Sequence, residues 1–332
     1  MSLLQSMFKA AATTACVVLG ASCLVGDPRL DQKVPPALPD LPRTHTDRSY
    51  NPPGHAVARR KLDLYLPAAG ANPAPVIVWI HGGGWSGGDK WPAQKSILAQ
   101  VARGFAVASV NYRLSGEAPF PAPVQDVKLA VRWVKANAAT YHLDPAKVVL
   151  GGESAGGHLA ALAAVSQGQF EIAVTGWPDS KPKAVIDFVG PTELVSFMRD
   201  SVWGHLAGGL LGCPIVGQNG SFPIYDCPAA DLRRASVTTY LDSTDPPVFM
   251  AYGADDTIVP AESQGRAVAQ QWSTALGKPL EESGAVWFDL VEGGGHNIAP
   301  LAAEMPPGTP EEQRKTYNFA ALQLFLDVVA PR

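Results

Sequence analysis

The sequence predicts an α/β protein built on a mostly parallel, doubly wound sheet that is flanked by helices. Short apolar runs alternate with stretches of helical periodicity, and several of these runs are apolar throughout, as expected for strands covered on both faces. A glycine-rich change from strand to helix lies near the middle, within 148–165. With 332 residues, 46% of them hydrophobic, the chain is long enough for one large domain of this class.

The first 26 residues have the features of an export signal. Lys9 precedes a run of small and apolar residues from Ala10 to Val25, which is too short to span a bilayer comfortably. The small residues before Cys23 resemble a lipoprotein signal, in which that cysteine would be lipidated and attach the protein to a membrane. Ordinary secretion and a buried N-terminal helix are the alternatives. We therefore expect an exported protein that is periplasmic, secreted or lipid-anchored at the cell envelope.

A proline-rich and polar segment, residues 27–58, predicts an extended N-terminal arm. The remaining residues, 59–332, are predicted to form the α/β domain. At its start, residues 61–66 alternate, with three leucines on one face and Lys61, Asp63 and Tyr65 on the other. This alternation predicts a half-buried strand near the edge of the sheet.

A buried strand is predicted over 76–80, and it leads directly into His81-Gly82-Gly83-Gly84. Three successive glycines leave backbone N–H groups uncovered, so that they can converge on one anion. A flexible turn is the structural alternative, and a phosphate-binding loop is disfavoured because its lysine is not at the required spacing. The motif is therefore interpreted as part of an oxyanion hole.

Further elements follow at the spacing of a parallel sheet with crossover helices. The sequence predicts helices over 91–103, 124–139, 261–276 and 311–329, and strands over 105–110, 184–189, 247–252 and 286–291.

The motif Gly152-Glu153-Ser154-Ala155-Gly156 follows an apolar run and precedes a helical pattern. In this strand–turn–helix context, G-x-S-x-G indicates a nucleophile elbow, with the serine hydroxyl at the tip of a sharp turn. Such a turn requires neighbours without bulky side chains, and the new helix directs its first amides towards the site. Ser154 is therefore the candidate nucleophile, and the Ala155 amide is a candidate oxyanion donor.

Residues 192–246 lack a strong strand pattern and are predicted to be a cap-like insertion within the domain. Cys213 and Cys227 lie in this stretch, and a disulfide between them would close a loop of about 15 residues. Such a bond suits an oxidising compartment and agrees with export, whereas two free buried thiols are the alternative. Neither cysteine has a metal ligand at the usual spacing, so no metal site is expected.

A serine nucleophile needs a base, and seven histidines compete for that role. His296 lies on a glycine-rich loop after the last predicted strand, from which its imidazole could reach over the edge of the sheet. His81 is expected to brace the glycine motif, and His158, inside the elbow helix, is expected to pack. His205 lies in the insertion and could contact substrate. His296 is therefore favoured as the base.

The acid that orients this histidine is expected after the penultimate strand, where Asp255 and Asp256 are adjacent. Asp187, on the preceding strand, is a weaker candidate. One carboxylate of the adjacent pair would hold the histidine tautomer, and the other is expected to cap the turn or the following helix.

Together, these motifs resemble an α/β-hydrolase esterase of the hormone-sensitive-lipase type, in the branch with acetylxylan- and feruloyl-esterase-like carboxylesterases. The resemblance covers about residues 60–300 and is carried by HGGGWSGGDK (81–90), VNYRL (110–114), FPAPVQDVKLAVRWV (120–134), GESAGGHLA (152–160), YGADDTIVP (252–260) and GGGH (293–296). It implies the α/β-hydrolase fold and the order serine, acid, histidine along the chain.

The resemblance also implies roles for individual residues. Counting three residues from Gly253 in the family pattern favours Asp256 over Asp255, which gives the catalytic set Ser154, Asp256 and His296. The oxyanion amides carry over to Gly83, Gly84 and Ala155, and His81, Gly82, Gly152 and Gly156 support them. No cofactor is implied. The insertion that contains the two cysteines departs from the expected family pattern.

The expected activity is hydrolysis of short-chain acyl esters, including carbohydrate or phenolic esters, through an acyl-enzyme. The expected partner is a small-molecule ester. Hydrolysis of amides or formamides, as in kynurenine-formamidase-like enzymes, and a non-catalytic binding module are the alternatives. A net charge of -4 gives no electrostatic reason to expect nucleic acid as a partner.

Overall fold

The computed structural model describes residues 41–70, 72–277, 280, 285–298 and 318–332, and within these ranges eight strands form one central sheet. The strands of the chain are β1 (His45–Ser49), β2 (Lys61–Tyr65), β3 (Ala74–Ile80), β4 (Ala106–Val110), β5 (Leu143–Glu153), β6 (Ala184–Phe188), β7 (Ile215–Asn219), β8 (Phe222–Tyr225), β9 (Val248–Gly253) and β10 (Val286–Val291). The central order is β1-β2-β4-β3-β5-β6-β9-β10, with antiparallel pairing at β1 and β2 and parallel pairing elsewhere.

Helices connect the parallel strands and cover the sheet. They are α1 (Lys95–Ala102), α2 (Ala122–Ala136), α3 (Ala138–Tyr141), α4 (Ala155–Val165), α5 (Leu194–Asp200), α6 (His205–Leu211), α7 (Ala229–Arg234), α8 (Ala267–Ala275) and α9 (Phe319–Val329). Every residue of α4 is buried, and this helix packs against β5, β6 and α2. The predicted fold class is confirmed: the chain has the α/β-hydrolase fold.

The five strands β3, β4, β6, β9 and β10 lie within two residues of their predicted positions. Two helices differ more from the sequence analysis. The helix predicted over 91–103 begins only at Lys95, because the backbone of Gln94 is still extended, with ψ 125°. The helix predicted over 261–276 begins as a π-helical segment, Ala261–Arg266, and becomes α-helical from Ala267.

The prediction of a half-buried β2 is wrong, because both faces of this strand are covered from Leu62 to Tyr65. Asp63, expected on the polar face, is fully buried. Its carboxylate accepts hydrogen bonds from Lys90 Nζ at 3.0 Å and from Arg43 Nη1 at 3.1 Å. Polar partners therefore replace water around this side chain, so alternation of residue types did not indicate exposure.

The structure describes only part of the N-terminal region for which predictions were made. The predicted export signal 1–26, with Cys23, and residues 27–40 of the predicted arm lie outside the described residues. Residues 45–49 of that arm form β1 and pair with β2 at the edge of the sheet. In the C-terminal helix predicted over 311–329, residues 311–317 also lie outside the described residues. None of the described helices is long and apolar enough to cross a membrane.

The insertion contains α5, α6, α7 and a two-stranded antiparallel hairpin of β7 and β8. The sequence pattern missed this hairpin because its apolar side chains, such as Ile215 and Ile224, are largely exposed. The predicted disulfide is present: Cys213 and Cys227 are bonded, with their Cα atoms 5.3 Å apart, and the bond closes the base of the hairpin. The insertion also packs on the glycine motif, because a Cβ placed on Gly84 would lie 3.0 Å from Leu206 Cδ1 of α6.

The disulfide predicts a measurable contribution to stability. Replacing both Cys213 and Cys227 by serine should lower the free energy of unfolding by up to about 3 kcal/mol, because the bond restricts a 15-residue loop in the unfolded chain. Urea unfolding of the double variant against the wild type measures this difference. Peptide mapping without reduction should show the two cysteines linked, and two alkylatable thiols in protein from an oxidising compartment would contradict the assignment.

Candidate functional site

Ser154 occupies a strained turn between β5 and α4. Its backbone angles are φ 53° and ψ -121°, a region that residues with a side chain rarely adopt. The turn is held by hydrogen bonds from Ser154 N to Phe188 O at 2.7 Å and from His158 N to Ser154 O at 3.0 Å. Gly156 permits the tight packing, because a Cβ there would collide with the carbonyl oxygen of Ile80. The strain therefore presents the serine hydroxyl at the end of β5.

Three residues from three separate loops are brought together at this point. His296 Nε2 lies 3.0 Å from Ser154 Oγ, and His296 Nδ1 lies 2.8 Å from Asp256 Oδ2. The carboxylate can only accept, so Nδ1 carries the proton and Nε2 is left to accept the hydroxyl proton of the serine. The structure thus places the three sequence-predicted residues in one hydrogen-bonded line.

The loops that carry the acid and the base follow the neighbouring strands β9 and β10, and backbone hydrogen bonds join them. Ala254 N donates to Val291 O at 3.0 Å, and Asp255 N donates to Gly294 O at 2.8 Å. Parallel strands end at the same edge of a sheet, so the two loops meet beside Ser154.

Asp256 rather than Asp255 contacts the histidine. The side chain of Asp256 is fully buried, and its Oδ1 accepts hydrogen bonds from Ile258 N at 2.8 Å and Val259 N at 2.9 Å. Asp255 was expected to cap the turn, but it is exposed, and its carboxylate makes no hydrogen bond within the part of the chain that the structure describes. Asp256 both orients His296, through Oδ2, and caps the turn, through Oδ1.

Asp187, the third candidate acid, lies away from the histidine in a separate buried network. Its carboxylate accepts hydrogen bonds from Tyr252 Oη at 2.7 Å and from Gly190 N at 3.0 Å. Burial raises the pKa of Asp187 to about 7. This network lies behind the elbow, where the side chain supports the turn at Gly190.

The predicted oxyanion amides are available near the nucleophile. Gly83 has φ +113°, which a residue with a side chain would rarely adopt, and a Cβ on Gly82 would lie 3.3 Å from Ser154 Cβ. Ala155 is the first residue of α4, where the backbone N–H has no partner within the helix. Among the described residues, the amides of Gly83, Gly84 and Ala155 donate to no carbonyl or side-chain oxygen.

Two histidines near the elbow are held neutral by burial, which lowers the pKa of each to about 4. His81 stacks on Tyr112 with ring centroids 4.5 Å apart, and its Nδ1 donates to Gly82 O at 2.7 Å. The side chain therefore braces the glycine motif, which is the position expected of a supporting residue.

The ring of His158 makes two hydrogen bonds that the sequence analysis did not predict. Trp85 Nε1 donates to His158 Nδ1 at 3.1 Å, so the ring proton resides on Nε2, which donates to Ala235 O at 2.7 Å. One imidazole thus connects the loop that carries the glycine motif to the end of the insertion. A histidine in an apolar helix was expected only to pack, because the sequence contains no sign of its partners.

A cavity of ≈ 590 Å³ opens beside the nucleophile, and its walls include Gly83, Gln94, Lys95, Glu153, His296 and Asn297. Its volume is in the range of small-molecule sites. His205, proposed as a substrate contact, does not line this cavity but stacks on Phe222, with ring centroids 4.6 Å apart. Glu153, which occupies a free position of the G-x-S-x-G pattern, was not singled out from the sequence. Throughout the described ranges, no cluster of His, Cys, Asp or Glu could hold a metal ion.

Comparisons with known proteins find one matching family model and several similar esterases. The BD-FAE family model matches residues 62–271. Esterase LipQ of Mycobacterium tuberculosis is 29% identical over 80% of this chain and 61% of its own length. Carboxylesterase NlhH of the same organism is 30% identical over 71% of this chain and 66% of its own length. The chain thus spans less than two thirds of these relatives.

Among solved structures, a truncated form of a carbohydrate esterase from gut microbiota matches with a TM-score of 0.69 and 26% identity. The match covers 90% of this chain and 99% of that structure.

The neutral state of His158 predicts a pH-dependent contribution to stability. Its pKa is about 4 in the folded chain against 6.5 ordinarily, so the unfolded chain binds more protons between these values. The contribution is complete above pH 6.5 and is lost as the pH falls towards 4. The stability gap between wild type and His158→Gln should therefore narrow by up to about 3 kcal/mol from pH 7 to pH 4.

Chemical denaturation of both proteins across this range measures the gap. Asp187 contributes a slope of opposite sign, because its folded pKa is raised, but this slope is present in both proteins and cancels in the difference. A gap that stays constant from pH 7 to pH 4 would contradict the assignment.

Proposed function

The chain belongs to the BD-FAE family, and on that premise we propose that it is a serine hydrolase of carboxylic esters with short acyl groups. The observation that carries this proposal is the continuous hydrogen-bonded line from Asp256 through His296 to Ser154 Oγ, placed at a strained elbow beside an open cavity. The esterase names of LipQ and NlhH support the same reaction class.

In the proposed reaction, Ser154 Oγ attacks the ester carbonyl carbon while His296 Nε2 takes the hydroxyl proton. The carbonyl oxygen becomes negative and is stabilised by the amides of Gly83, Gly84 and Ala155. The protonated His296 then gives its proton to the leaving oxygen, and the alcohol departs. Water, deprotonated by His296, attacks the acyl-enzyme and releases the acid and the free serine.

Asp256 holds His296 in the tautomer that this sequence of steps requires. Its Oδ2 accepts from Nδ1–H, while its Oδ1 is fixed by the amides of Ile258 and Val259. The buried carboxylate also stabilises the imidazolium that forms in each half of the reaction.

We infer that carbohydrate or phenolic esters are the substrates. The similarity to a truncated carbohydrate esterase supports this inference, as does a cavity whose walls combine polar side chains with Trp79 and Phe188. Apolar rings with a few polar groups are typical of sites that orient a small organic substrate.

We also propose that the protein is exported. The bond between Cys213 and Cys227 supports this, since structural disulfides form and persist mainly in oxidising compartments. The proposal includes a lipid-anchored form, in which Cys23 carries the lipid.

The first test of the proposed function replaces the nucleophile. Ser154→Ala should lower the turnover of p-nitrophenyl acetate by more than about 10³-fold, because the attacking group is lost. The melting temperature should change little, since among the described residues the hydroxyl is hydrogen-bonded to His296 alone. Retention of more than about a hundredth of wild-type turnover would show that another nucleophile acts.

The wild type should be assayed in parallel on p-nitrophenyl esters from acetate to decanoate, acetylated xylan, methyl ferulate and N-formylkynurenine. Preference for the shortest acyl chains and for the carbohydrate or phenolic ester is expected. Faster hydrolysis of N-formylkynurenine would instead favour a formamide hydrolase.

The adjacent aspartates provide a matched pair of variants. Asp256→Asn should lower the turnover number by ~10⁴-fold, because the amide can donate to His296 Nδ1 and hold the wrong tautomer. Asp255→Asn should stay within about threefold of wild type, because this exposed side chain makes no contact with the histidine. Kinetics at saturating p-nitrophenyl acetate compare the two, and a larger loss in Asp255→Asn would refute the assigned acid.

A further inference from the structure

Asp187 is a buried acid that the proposed reaction does not use. It lies in β6, and its side chain is fully buried. Its Oδ1 accepts a hydrogen bond from Gly190 N at 3.0 Å. Its Oδ2 lies 2.7 Å from Tyr252 Oη, and the same hydroxyl oxygen lies 2.7 Å from Gly190 O. Tyr252 Oη thus makes two close contacts with oxygen atoms.

The two contacts of Tyr252 need two protons. Both separations are those of an O–H···O hydrogen bond, but a tyrosine hydroxyl carries one proton and a carbonyl oxygen can only accept. An ionised Asp187 can also only accept, so it takes the hydroxyl proton and leaves Gly190 O facing Tyr252 Oη with no proton between them. A protonated Asp187 reverses the first hydrogen bond: its Oδ2–H donates to Tyr252 Oη, and Tyr252 Oη–H donates to Gly190 O. The geometry therefore fits a protonated and neutral Asp187.

The surroundings of Asp187 favour the same state. The elements packed against β6 are β5, β9 and α4, and they carry five titratable side chains: Tyr252 on β9, His158 on α4, and Asp144, Lys147 and Glu153 on β5. Lys147, the one cation of these five, pairs with Asp144 at the other end of β5. Burial holds His158 neutral by lowering its pKa to about 4. Burial likewise raises the pKa of Asp187 to about 7, although the hydrogen bonds with Tyr252 and Gly190 act in the opposite direction.

The charge of Asp187 also bears on the oxyanion. Asp187 Oδ1 touches the first turn of α4, because a Cβ placed on Gly157 would collide with it. The amide of Ala155, a proposed oxyanion donor, belongs to the same turn. A negative charge on Asp187 would lie in a dry site within roughly one helical turn of that amide. It would repel the developing oxyanion and offset the positive end of the helix, whereas a neutral Asp187 leaves this end to the oxyanion.

We propose that Asp187 is a positioning residue that acts in its protonated form. Its proton completes the hydrogen-bonded chain through Tyr252 to Gly190 behind the elbow, and its neutrality leaves the first amides of α4 to the oxyanion. This inference rests on the proposed function, because it concerns the oxyanion of that same reaction.

The test replaces the acid by an amide of the same shape. In Asp187→Asn, the side-chain N–H can donate to Tyr252 Oη and the side-chain oxygen can accept from Gly190 N, as in the protonated acid, but the group stays neutral at every pH. Asp245→Asn is the matched control. Burial also raises the pKa of Asp245 to about 7, but this residue precedes β9, at the opposite edge of the sheet from the elbow.

The turnover number for p-nitrophenyl acetate is measured from pH 6 to pH 9. At pH 6 the wild type and Asp187→Asn should agree within about threefold, and at pH 9 the wild type should be slower by ~10-fold, because the charge on Asp187 raises the barrier. KM should change little, since the charge acts on the transition state. Asp245→Asn should follow the wild-type pH profile.

An alkaline fall of the same size in Asp187→Asn would overturn the inference, because another group would then cause it. A wild type that shows no alkaline fall would overturn it as well. Loss of activity in Asp187→Asn at pH 6, or failure of this variant to fold, would show that the residue acts as a carboxylate. Wild-type protein that hydrolyses no ester would overturn the proposed function, and the protonation of Asp187 would still be decided by unfolding.

Unfolding measures the proton on Asp187 without a substrate. The folded pKa of about 7 lies above the ordinary value of 3.8, so the folded chain binds more protons between these values. The stability of the wild type relative to Asp187→Asn should therefore fall as the pH rises from 4 to 7 and level off above it. The contribution of His158 is present in both proteins and cancels. A difference that stays constant from pH 4 to pH 8 would contradict the protonated state.

Discussion

The close approach of α4 to the central strands at Ser154 is the constraint on which the rest of the site depends. The strained turn at Ser154 requires glycine at positions 152 and 156, because a Cβ on Gly152 would collide with Gly156 and a Cβ on Gly156 would collide with the carbonyl oxygen of Ile80. The same contact sets the Ala155 amide beside the end of β3, where the glycine motif begins. One steric condition therefore positions both the nucleophile and the groups proposed to stabilise the oxyanion.

The acid and the base are positioned by a second backbone arrangement, which ties their two loops together before any side chain takes part. The hydrogen bonds from Ala254 to Val291 and from Asp255 to Gly294 fix the distance between the loops. Asp256 then uses one oxygen to hold its own turn and the other to hold His296. Preorganisation of this kind costs little at the moment of reaction, because the reorganisation has taken place during folding.

Burial sets the charge state of the groups around the nucleophile. His158 and His81 are kept neutral, so the imidazole of His158 can join the Trp85 loop to the insertion without placing a positive charge beside the elbow. Glu153 is different, because its acid lies on the cavity wall and has no partner among the described residues.

The sequence alone predicted the fold class, and it predicted Ser154 as the nucleophile and His296 as the base. Local patterns indicate these two residues: a glycine-flanked serine between strand and helix, and a histidine on a glycine-rich loop after the last strand. It also indicated the pairing of Cys213 with Cys227. The family spacing from Gly253 already favoured Asp256 over Asp255, and the tertiary structure added the direct contact of Asp256 with His296. It alone showed that Asp63 is buried and that His158 connects two segments of the chain. Each of these depends on contacts between residues far apart in the chain, and local periodicity carries no information about such contacts.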